Sequence, residues 1–92
     1  MTSAEFLSSA RLIAQRNLTD NVRAISAGFS DRHLSVTYYV ASEPTIGDEE
    51  ERELTVAELI AAFPEVKTAD AYSEISTGDV VPLRGEHIVF QR

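Results

Sequence analysis

The chain has 92 residues, no cysteine and a formal net charge of −7, which excludes disulfides and thiolate metal sites and leaves packing as the source of stability for one small core. With 43% hydrophobic and 25% charged residues, it has the composition of a soluble globular domain and not of a disordered chain, and residues 1–92 should form a single domain. One lysine in the whole sequence cannot supply the clustered cations that phosphate contacts need, so no nucleic-acid partner is expected.

Thr2 and Glu5 have the spacing of a capping box, and Phe6, Leu7, Ala10, Ile13 and Ala14 then recur at helical intervals. An amphipathic helix is predicted from Ser3 to Arg16. Asn17 suits a left-handed helix terminus, with "NLTDN" as the turn beyond it. Arg11 and Arg16 interrupt this segment, so it reads as neither signal peptide nor membrane span, and a cytoplasmic location is expected.

Two strands follow, Asn21 to Phe29 and His33 to Ala41, joined by a short polar turn into a β-hairpin. The second alternates, with Leu34, Val36, Tyr38 and Val40 toward the core and Ser35, Thr37 and Tyr39 on the other face. Gly28 is expected to mark a bulge or a close approach to the helix.

Thr45 can cap the next helix with Asp48 as its partner three residues on. The helix is predicted from Ile46 to Ala62, with Leu54, Ala57, Ile60 and Ala61 toward the core and Val56 and Phe63 widening the stripe. A competing capping box, Thr55 with Glu58, would start it at Val56 and leave "DEEERE" as a loop. The longer helix is preferred because Glu and Arg are good helix formers and carboxylates suit a helix N-terminus. Asp48 and Arg52 would pair at i, i+4. A strand around Ala71 to Ser76, the loop "TGDVVPLRG" and a closing strand "EHIVFQR" with Ile88 and Phe90 on one face complete the chain.

The order αββαββ predicts an α+β fold. Its expected form is a two-layer sandwich, an antiparallel four-stranded sheet with both helices on one face, leaving Ser35, Thr37 and Tyr39 in water.

Signals for chemistry are sparse. His33 and His87 lie at strand edges without a second ligand at metal spacing, no Gly-x-Ser-x-Gly elbow occurs, and the glycines at 28, 47, 78 and 85 are scattered. No catalytic residue, metal or cofactor is expected, and the chain is not expected to be an enzyme. Residues 33–65 carry eight acidic side chains against one basic, so the charge imbalance lies in the middle third. "DEEERE" lacks the alternate spacing of a calcium loop, and consecutive carboxylates on a helix point apart.

The capped first helix, the strand "LSVTYYV", the "PT" turn before an acidic helix ending "LIAAFP" and the terminal "GEHIVFQR" together resemble small bacterial toxin-immunity proteins in layout. The resemblance implies inhibition by binding, in which an acidic surface covers the basic cleft of a toxin, commonly a nuclease. On this sequence it implies Asp48, Glu49, Glu50, Glu51 and Glu53 as partner contacts, with Tyr39 as an exposed aromatic anchor. Two other readings remain open: a homodimer or larger homo-oligomer of structural role built on the open sheet face, and a small-ligand binder or enzyme using residues 77–87 with Asp79, Arg84 and His87.

Overall fold

Both helices begin where a threonine caps them. In a computed structural model describing residues 1–92, Thr2 Oγ1 accepts a hydrogen bond from the Glu5 amide and the Glu5 carboxylate accepts one from the Thr2 amide, starting α1 (Ser3–Arg16). Thr45 and Asp48 repeat the arrangement at α2 (Ile46–Ala62), so the longer of the two alternative helices forms. Asn17 closes α1 at φ −120°, outside the left-handed region expected of it.

The strands are β1 (Val22–Ser30), β2 (His33–Val40), β3 (Thr68–Ile75) and β4 (His87–Gln91). The order αββαββ is as expected, and the class is α+β. β1 and β2 form the predicted hairpin, turning through Asp31 and Arg32 at φ 52° and 64°. Two left-handed residues in a two-residue loop are what the right-handed strand twist demands.

The sheet is mixed, which corrects the antiparallel expectation. Its order is β3-β2-β1-β4, with β1 antiparallel to both β2 and β4 but β3 parallel to β2. The reason is the length of α2. Seventeen residues of helix return the chain by about 26 Å, the length of an eight-residue strand, so the next strand starts again at the end where β2 started.

One face of the sheet carries the core. Leu34, Val36, Tyr38 and Val40 lie there with Val22, Ile25 and Ala27, covered by Phe6, Ala10, Ile13 and Ala14 of α1 and by Val56, Leu59 and Phe63 at and beyond α2. Bulges shift the register in β1 between Val22 and Ala24 and in the β1–β4 pair. The second bulge sets Phe90 opposite Ile25 but Ile88 opposite Ser26, so these two do not share a face as predicted.

The other face is not open either. β3 and β4 occupy opposite edges, so residues 76–86 must cross the sheet, and they do so on the side away from the helices. Ser26, Thr37 and Tyr39 beneath them are buried, whereas Thr37 and Tyr39 were expected in water. A third, irregular layer thus covers part of the sheet. Gly28 lies directly against it: a Cβ there would collide with the carbonyl oxygen of Gly85. The close approach expected at Gly28 is therefore to this crossing segment, not to a helix.

Gly28→Ala should destabilise the protein by about 1–3 kcal/mol, the usual cost of forcing a methyl into filled space. Urea denaturation would measure it, and an unchanged midpoint would show that the crossing segment is not held at Gly28.

Candidate functional site

The acidic run of α2 divides by direction. Asp48 points inward and is 1% exposed. Its carboxylate accepts hydrogen bonds from Thr19 Oγ1 at 2.5 Å, Asn21 Nδ2 at 2.7 Å and the Thr45 amide at 2.9 Å. Burial alone would raise its pKa; the bonds from Thr19, Asn21 and Thr45 outweigh that and hold it below the ordinary 3.8. Glu49, Glu50 and Glu53 are exposed and Glu51 is half-buried.

This orientation reverses the expected packing of α2. The buried side chains are Asp48, Thr55, Val56 and Leu59, while Leu54 and Ile60 are 48% and 42% exposed and Ala57 and Ala61 are exposed too. The helix is turned by nearly half a revolution from the phase that apolar residues alone suggest. Polar partners set it. Tyr38 Oη donates to the Asn17 carbonyl at 2.8 Å and meets Thr55 Oγ1 at 2.5 Å, and Thr55 accepts from Asn17 Nδ2 at 3.1 Å. Burial pushes the Tyr38 phenol up to about 12, so it stays a neutral donor.

Arg52 does not pair with Asp48. Its Nη1 donates to Ser73 Oγ on β3 at 2.8 Å and its Nη2 meets Glu53 at 3.2 Å, because Asp48 is already engaged with Thr19 and Asn21. The outer face of α2 therefore carries Glu49, Glu50 and Glu53 near its start and Leu54, Ala57, Ile60 and Ala61 along its second half.

Tyr39 is 2% exposed, with its hydroxyl 3.2 Å from Ser26 Oγ. The exposed aromatic is instead Tyr72 of β3, at 45%. It pairs across with Thr37, between Asp70 and Glu74 on the same face, and the Asp70 carboxylate beside it raises its pKa above the ordinary 10.0.

Sequence reasoning missed Glu86. Its buried carboxylate accepts from Ser26 at 2.5 Å, from Thr37 at 2.9 Å and from Ser35, pinning the crossing segment to the sheet. The alternation of Ser35 and Thr37 marked a polar face, but nothing in "RGEH" announced its acceptor. Of the residues considered for a loop site, Arg84 borders one shallow hollow and His87 another, while Asp79 borders neither. They do not converge. His33 bonds Thr68 Oγ1 at 2.6 Å and meets Asp70 at 3.1 Å, tying β2 to β3. No three His, Cys, Asp or Glu side chains are grouped to hold a metal ion, and no helix is long and apolar enough to cross a membrane.

Among known families, the model of the MafI2 immunity proteins matches residues 7–92. The chain belongs to the MafI2 immunity protein family. The match takes in the whole sheet, all of α2 and α1 from Leu7 onward. A comparison with curated proteins gives no match. Membership confirms the resemblance to immunity proteins seen in the sequence and gives the molecule the role of an immunity protein, whose partner is a toxin.

The buried Asp48 makes stability depend on pH with a definite sign. Its native pKa is depressed, so its contribution is fully present above about pH 4 and fades as pH falls through the native value. Asp48→Asn should cost about 2–4 kcal/mol at pH 7, since an amide cannot accept from all its present donors. The variant should also lose part of the wild-type decline below about pH 4. Thermal melts across this range would check both.

Proposed function

We propose that the chain neutralises its toxin by direct, non-catalytic binding, and that the exposed carboxylates Glu49, Glu50 and Glu53, with Glu51 behind them, meet a basic surface on a nuclease-type toxin in the cytoplasm. The observation that carries this reading is their arrangement on the outer face of α2 in a member of an immunity family. A nuclease needs cations to hold phosphate, and covering those cations denies it substrate without any chemistry. Asp48 and Tyr39 contribute by fixing α2 and the sheet from inside.

The apolar half of the same face favours a docking surface over a merely solvated helix. Leu54, Ala57, Ile60 and Ala61 form a row that no element of the chain covers, next to the acidic turns. Carboxylates steer the encounter and a desolvated apolar centre lengthens the life of the complex.

Replacing Glu49, Glu50 and Glu53 together by Gln should slow association with the purified toxin domain about tenfold at low salt, with the difference vanishing near 1 M salt and the melting temperature nearly unchanged. Stopped-flow mixing reads this directly, and an unaltered rate would remove the acidic face of α2 from the interface. Leu54→Ala should act differently, raising the dissociation rate about tenfold and sparing the salt dependence, as surface plasmon resonance would show.

A further inference from the structure

The two rims of the sheet are finished differently. β4 is five residues long, has a register break against β1 and is followed by Arg92, whose guanidinium lies 5.5 Å from the centre of the Phe90 ring and donates to the Val22 carbonyl. β3 pairs with β2 through eight unbroken positions, and nothing pairs with its outer side. The Thr68 amide donates to the Arg32 carbonyl and the Ser76 amide to that of Val40. By alternation, the N–H and C=O groups of Ala69, Ala71, Ser73 and Ile75 point away from the sheet. Protein edges are ordinarily blunted by lysine, proline or a bulge, and "TADAYSEI" has none of them.

Carboxylates flank this rim on both faces, Glu53 beside Arg52 and Asp70 beside His33, with Glu49 and Glu74 in no ion pair. Below it, on the face away from the helices, stand Asp70, Tyr72 and Glu74. Above it runs α2, whose orientation three contacts fix. Arg52 reaches Ser73 on β3, whereas Thr55 and Glu58 on the opposite flank are bonded to Asn17 and Arg16 at the end of α1. At 3.6 residues per turn, Glu49, Glu53 and Ile60 sit about 60–100° beyond Arg52, on the side away from α1.

We propose that the outer rim of β3 receives an extended, lysine- or arginine-bearing segment of the toxin as a fifth strand. The proposal rests on the immunity reading above and gives it a docking mode. The added strand would satisfy the four outward N–H groups and the carbonyls between them. Its alternating side chains would meet Glu49 and Glu53 on one face and Asp70 and Glu74 on the other, with Tyr72 as the aromatic contact. The charges argue for a basic occupant and against a second copy of this chain. Antiparallel self-pairing centred on Tyr72 would set Asp70 of each copy opposite Glu74 of the other, and like charges directly opposite destabilise a ladder.

Amide hydrogen exchange, resolved by NMR, with and without a catalytically silenced toxin domain, tests this. Exchange at Ala69, Ala71, Ser73 and Ile75 should slow about a hundredfold in the complex, with β4 unaffected. Ala71→Pro removes only an outward donor and should raise Kd at least tenfold; Glu74→Lys, which touches no backbone bond, should weaken binding in the same direction even if the proline variant folds poorly. A toxin that binds while those four amides keep their rates would overturn the strand-addition proposal and leave direct binding standing. A toxin that does not bind the wild-type chain would overturn the binding reading itself, and this proposal with it. Protection of the same amides in concentrated protein alone would identify a second copy as the occupant and overturn the assignment of a toxin strand.

Discussion

The length of α2 governs the molecule. A helix that spans the sheet returns the chain to the end where β2 began, and β3 must then run parallel to β2 along its free side. β3 takes one rim and β4 joins at the other, beside β1, so the intervening residues cross a sheet face. Glu86 under its three hydroxyls, the burial of Tyr39 and the requirement for glycine at position 28 all follow from that crossing. A hairpin between β3 and β4 would have needed none of them.

Buried polar groups then decide which way α2 faces. Tyr38 donates to Asn17, Asn17 to Thr55, and Thr55 completes the ring by donating to Tyr38. Both hydroxyls in the ring and the Asn17 Nδ2 have protein partners, which is the condition for burying them at little cost. Asp48 performs the same service at the start of the helix, joining the turn after α1 to the cap of α2. Rotating α2 to bury Leu54 and Ile60 instead would expose apolar Val56 and Leu59 and break both networks. The carboxylates left facing outward are therefore a consequence of what is bonded inside.

Local signals in the sequence were accurate where local physics was sufficient. Both capping boxes, the bounds of α1 and α2, the β1–β2 hairpin and the inward row from Leu34 to Val40 needed only neighbours within a few residues. The parallel pairing did not show because it depends on the distance spanned by α2. The face of α2 departs from its hydrophobic periodicity for a more specific reason: its buried stripe contains Asp48 and Thr55, while two large aliphatics, Leu54 and Ile60, lie outside it. Of the candidate contacts, Glu49, Glu50 and Glu53 are on the surface as expected. Strand alternation gives the face on which Tyr39 lies but not what a distant segment lays over it.

The excess of negative charge acquires a second physical meaning from the open rim of β3. An eight-residue edge without lysine, proline or bulge is a template for any strand that approaches, including that of an identical chain. Asp70 and Glu74 on one side and Glu49 and Glu53 on the other make identical copies repel at that rim, while a cationic strand meets the opposite field. Coulomb repulsion between exposed groups falls off over about 8 Å at physiological salt, so it acts most strongly at the separations where a ladder would form. The same side chains that would draw in a basic partner thus protect the free protein from pairing with itself, and neutralising them would weaken both effects together.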